Sequence, residues 1–157
     1  MDINLLEQNL TKLKKIYESE TEFEEIKVIE IISKEITKPK MDGTYGSALY
    51  KVPFKLSQTP KSLWSQLFLK NWKSPMSFSS MHRPSIASIY DNQLILNGTT
   101  LEEIEKYHKE TIIKCIDRTN LEYKENIKNN LKTQINTLKD EIEYYKKIQN
   151  EAINIKF

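Results

Sequence analysis

Glycine is scarce in this chain, three in 157 residues, and cysteine is scarcer, with one. Each shortage removes a class of chemistry. Gly43, Gly46 and Gly98 are too few and too scattered for a glycine-rich phosphate loop, and neither HExxH nor GxSxG occurs. Cys115 alone allows no internal disulfide and no thiolate metal cluster, so it is expected to be a small buried hydrophobe. No run approaches the roughly 18 apolar residues a membrane span needs. Asp2 and Glu7 stand where a signal peptide would place a basic region followed by an apolar one. The expectation is a cytoplasmic protein with no membrane partner, no cofactor and no metal. Its length suits one core-bearing domain without staples.

Acid is missing from one long window. Residues 43–90 contain no Asp or Glu, while Lys51, Lys55, Lys61, Lys70, Lys73 and Arg83 are all basic; the flanks mix both signs, and the chain nets only +2. Tyr45, Tyr50, Phe54, Trp64, Phe68, Trp72, Phe78 and Tyr90 share that window. Lysines neutralise phosphates and aromatics stack on unpaired bases, so the window reads as a polyanion-binding surface. The plainer alternative makes the aromatics core and the lysines a solvated face, and Tyr50, Phe54, Trp64 and Phe68 do sit in line with aliphatic neighbours. The expected binding residues are Lys51, Lys55, Lys61, Lys70, Lys73, His82 and Arg83, taking an acidic protein or a nucleic acid.

All five prolines and all three glycines fall between positions 39 and 98, which leaves both ends free to be helical. Ile3, Leu6, Leu10, Leu13 and Tyr17 make one stripe on a helix over about residues 3–19. The β-branched stretch between Phe23 and Ile36 favours a strand, Pro39–Gly46 a turn, and the alternation Ala48, Tyr50, Val52, Phe54, Leu56 a second strand with Lys51 and Lys55 facing outward. Pro53 points to an edge or a bulge. Thr59 and Pro60 predict a helix start, and Leu63, Trp64, Leu67, Phe68 and Trp72 its apolar side. Residues 86–96 read as a hairpin turning at Asp91 and Asn92, pairing Ile89 with Leu94 and Ala87 with Leu96. Thr100 and Glu103 have capping-box spacing for a last helix.

That last helix carries Leu101, Ile104, His108, Ile112 and Cys115, then Ile127, Leu131, Ile135, Leu138, Ile142 and Tyr145 at close to coiled-coil spacing. Unbroken from Thr100 to Asn150 it would be on the order of 75 Å long. It must then project, or fold back near Asp117–Asn120. The whole is expected to be α+β: helix, hairpin, helix, hairpin, long helix, with a four-stranded antiparallel sheet and helices on one face. The predicted parts are an N-terminal amphipathic helix (1–20), a globular domain (21–120) and a helical or coiled-coil extension (121–157).

Among candidate catalytic residues only His82 and His108 stand out. With Asn97 between them, the order His, Asn, His is similar to the strand-strand-helix metal fold of HNH nucleases, which implies one histidine activating water and another helping to hold a metal. The similarity covers residues 82–108. It departs from the family pattern at Met81, where an acidic ligand often precedes the first histidine, and no zinc-binding cysteine pairs flank it. The leading expectation is a non-enzymatic interaction protein that binds an anionic partner through the 43–90 surface. It would form a homo-oligomer through Leu131, Ile135, Leu138, Ile142 and Tyr145. A nucleic-acid-binding module and an HNH-like nuclease are the alternatives.

Overall fold

The computed structural model describes every residue except Met1, Asp42 and 44–46, with the Thr21 side chain also left aside. The chain is α+β, with a four-stranded antiparallel sheet and a long C-terminal helix. Part of the turn expected at Pro39–Gly46, including Tyr45, lies outside the described residues. Two compact units divide the chain: Glu25–Tyr123, and Met1–Glu24 with Lys124–Phe157.

In the first unit β1 (Val28–Ile31), β2 (Tyr50–Leu56), β3 (Ala87–Tyr90) and β4 (Gln93–Thr99) lie in the order β1-β2-β4-β3. The second hairpin has the expected register, Ile89 opposite Leu94 and Ala87 opposite Leu96. Only Asp91 of its turn takes a positive φ, 54°. Alternation along β2 sends Val52, Phe54 and Leu56 inward, and Leu94 and Leu96 join them from β4. Pro53 lies in a central strand, where proline is rare; its carbonyl accepts from the Ile32 N–H at 2.9 Å.

Helix α2 (Ser62–Lys73) lays Trp64, Phe68 and Trp72 on the inner sheet face. It begins later than its sequence suggests. Lys61 occupies the N-cap without a side-chain capping bond, while the Thr59 hydroxyl lies 3.1 Å from an Asp91 carboxylate oxygen, which accepts from it. The last helical run opens as α3 (Leu101–Glu103), passes through a π turn (Ile104–His108) and continues as α4 (Lys109–Ile153) without a break at Asp117–Asn120. Ile112, Cys115, Ile116 and Tyr123 of α4 are buried in this unit. Asn120 ties α4 to the chain entering β1. Its amide oxygen accepts from the Ile26 N–H (3.1 Å) and from Trp64 Nε1 (2.9 Å), and its amide nitrogen donates to the Ile26 carbonyl (2.8 Å).

The second unit pairs α1 (Ile3–Thr21) with the 124–153 part of α4. Asp2 caps α1, its carboxylate accepting from the Leu5 N–H at 3.2 Å. Glu7 bridges Lys146 at 2.9 Å, and Lys12 and Leu13 line a groove with Leu138 and Glu141, so the two helices are antiparallel. Ile135 and Ile142 are buried, while Leu131, Leu138 and Tyr145 are half-buried. A fold-back near Asp117–Asn120 is overturned, because α4 is unbroken there, and the chain's own first helix runs along the 124–153 part. Among the described residues no helix is long and apolar enough to cross a membrane.

Candidate functional site

The π turn organises the most polar interior point of the sheet unit. Its wide hydrogen bond, Lys109 N–H to Ile104 carbonyl, slows the angular advance of the helix. Residues five apart, which an α-helix would splay, then share a face. Glu103 and His108 are such a pair, with Glu103 Oε2 3.6 Å from His108 Nε2. The Thr100 hydroxyl caps the helix by accepting from the Glu103 N–H at 3.1 Å. The Glu103 carboxylate, however, turns to Arg83, accepting from its Nε (3.1 Å) and Nη2 (2.7 Å), and to the Thr99 hydroxyl (3.0 Å). The Arg83 hydrogen bonds hold the Glu103 carboxyl below its ordinary value against the opposing effect of burial.

Trp72 links this ion pair to both histidines. Its indole N–H donates to the Arg83 carbonyl at 3.0 Å, and its own carbonyl accepts from His82 Nε2 at 2.7 Å. Its ring lies 4.5 Å from the His82 ring and 5.8 Å from the His108 ring; the two imidazoles are 6.4 Å apart. His108 is fully buried, and neither ring nitrogen has a hydrogen-bond partner among the described residues. Burial pushes its pKa below the usual histidine value, with Glu103 opposing. The two histidines singled out in the sequence are thus neighbours, held by a tryptophan that carried no such signal.

His82 and Asn97 line one cleft of about 550 Å³ with Lys40, Arg83 and Gly98, but His108 does not line it. Among the described residues no group of three or more His, Cys, Asp or Glu is placed to hold a metal ion. An HNH-like centre needs its second histidine within reach of a hydrated cation, and a fully buried His108 offers no such access. Cys115 is buried too, its thiol pushed up to about 11 and donating to the Asn71 carbonyl at 3.5 Å, which leaves no reactive thiolate.

The basic residues divide between two faces. Lys51 and Lys55 point outward from β2, where Lys55 stands opposite Glu30. Lys61, Lys70 and Lys73 are exposed on α2, which packs on the other face of the sheet. Lys70 and Lys73 occupy the last turn of α2, where cations complement the helix dipole. They flank Trp72, which anchors the following loop through His82 and Arg83. That loop exposes Met76 (84%) and Phe78 (64%). The acid-free window is therefore not acid-free in space: Glu103 pairs with Arg83, and Glu30 stands opposite Lys55 on the neighbouring strand.

No protein-family model matches this chain, and no curated protein or solved structure does.

Proposed function

We propose that this chain is a non-enzymatic interaction protein that self-associates through its helical ends and presents a basic surface to an anionic partner. One observation carries the reading of the surface. Lys70 and Lys73 are exposed at the end of α2, and Trp72 between them anchors the 74–83 loop through His82 and Arg83, a loop that exposes Met76 and Phe78. Met76 lines a pocket with Lys114, Arg118 and Asp117, and Phe78 one with Lys106, Lys114 and Glu110, so cations outnumber acids around both apolar side chains, which fits a partner that is acidic around an apolar pocket. Lys51 and Lys55 on the outer sheet face form a second, separate basic site.

Retention on a heparin column tests the reading, with heparin as the polyanion probe. Wild type should elute at clearly higher salt than Lys70→Glu plus Lys73→Glu, because each neutralised anionic group releases counterions on binding. Equal elution of the two would count against it. Exposed Phe78 and Tyr90 favour a second reading, a nucleic-acid-binding module that stacks bases on these rings. A gel shift with single-stranded RNA and DNA that depends on Phe78 would move the assignment there. Metal-dependent cleavage that requires His82 would overturn both.

A further inference from the structure

The α1–α4 hairpin has an unfinished side. A two-helix layer covers each stripe from one direction only, which is why Ile135 and Ile142 are buried against α1 while Leu131, Leu138 and Tyr145 remain half-buried. Beside them runs a groove of about 550 Å³ with Leu13 of α1 and Leu138 of α4 at its centre and a polar border that includes Lys12, Gln134, Thr137 and Glu141. Leu5 and Ile16 continue it on α1, 52% and 47% exposed, and Ile148, seven residues beyond Glu141, continues it on α4 at 41%.

We propose that a second copy of this chain seats on this face, closing an antiparallel four-helix bundle in which Lys12 of each copy meets Glu141 of the other. The proposal rests on the self-association reading above and adds the face, the symmetry and the pairing. The height of the helices fixes the geometry. Glu7 bridges Lys146; Lys12 lies five residues after the first and Glu141 five before the second, so antiparallel helices carry them at the same level. A two-fold axis parallel to the helices keeps every level unchanged and lays α1 of one copy over α4 of the other. All neighbouring helices are then antiparallel, and opposite charges face each other on both sides. The face is thus complementary to itself. The 19 residues of α1 span about 28 Å and two helices are about 20 Å wide. The flat footprint is therefore on the order of 560 Å² per copy, and the ridged surface somewhat more. The pair approaches the roughly 1,200 Å² at which stable interfaces begin.

Lys12→Glu and Glu141→Lys, each made in the full chain and then mixed in equal amounts, test the pairing by light scattering at tens of micromolar. Both positions are exposed, so the helices should survive, and far-UV circular dichroism checks this. Wild type should be a dimer, each single variant should dissociate at roughly ten-fold higher concentration because two like-charge pairs replace two attractive ones, and the mixture should regain wild-type stability as a heterodimer. A dimeric wild type whose single variants dimerise unchanged would overturn this face while leaving self-association standing. Weakened variants that are not rescued by mixing would overturn the pairing. A monomeric wild type would remove both.

Discussion

Asn120 satisfies three buried polar groups, the Ile26 N–H and carbonyl and the Trp64 indole N–H, through one amide. Truncation strands all three, and an unmet buried group costs about 1–3 kcal/mol. Asn120→Ala is therefore expected to lower unfolding free energy by roughly 3 kcal/mol, read as a shift in urea midpoint at unchanged slope. His108 predicts the reverse. Its buried ring nitrogens make no hydrogen bond and meet Glu103 Oε2 only at 3.6 Å, so His108→Leu should leave stability at pH 7 unchanged or higher. The pH dependence has a fixed sign. Because burial lowers the folded-state pKa below 6.5, the unfolded chain binds a proton first, and stability falls as pH drops from about 6.5 toward the lowered value. Glu103, lowered from 4.5 by Arg83, adds a second loss in more acidic solution. Thermal melts from pH 7 to about 2.5 should show both losses in wild type and only the more acidic one, below about 4.5, in His108→Leu. A wild-type melting temperature flat between pH 7 and 5 would contradict the first.

Helix α4 passes through two environments, and its amides should report them. From Ile112 to Tyr123 it buries a residue nearly every turn against sheet and α2, whereas beyond Lys124 only Ile135 and Ile142 are buried. Hydrogen exchange is expected to slow sharply before Lys124 and to quicken after it; uniform protection along α4 would contradict this. Elements whose partners lie nearby in sequence were legible in advance. The β3–β4 register followed from alternation about a two-residue turn, and α1 from its five-residue stripe. Interactions set by distant partners were not legible. Thr100 and Glu103 looked like a reciprocal capping box, but Arg83, twenty residues earlier, takes the Glu103 carboxylate. The same spacing gave no hint of the π turn that brings His108 beside it. Thr59 looked like an N-cap and instead donates to Asp91. At the candidate site Arg83 and the surface lysines are legible from charge and His82 from the His, Asn, His order as well, while Trp72, which joins His82 to Arg83, reads as one more core aromatic.

Taken together, the chain couples a sheet unit with a well-filled core to a helical hairpin that leaves apolar side chains half covered. The hairpin leaves Leu5, Ile16 and Ile148 about half exposed, and covering the rest of each is worth roughly half of the 1.5–3 kcal/mol for a fully exposed side chain. The sequence expectation assigns Leu131, Ile135, Leu138, Ile142 and Tyr145 of the final helix to contact with another chain. Helix α1 covers much of that stripe instead, so the remaining demand is for a modest, concentration-dependent interface. Its Kd should rise when apolar contact is removed, and Leu5→Ser plus Ile16→Ser, both at exposed positions, should weaken it without loss of helix. The most direct measurement is the solution mass of the wild-type chain by light scattering at tens of micromolar: assembly predicts twice the 18.6 kDa of one chain, falling toward one on dilution, and a constant 18.6 kDa across that range would contradict it.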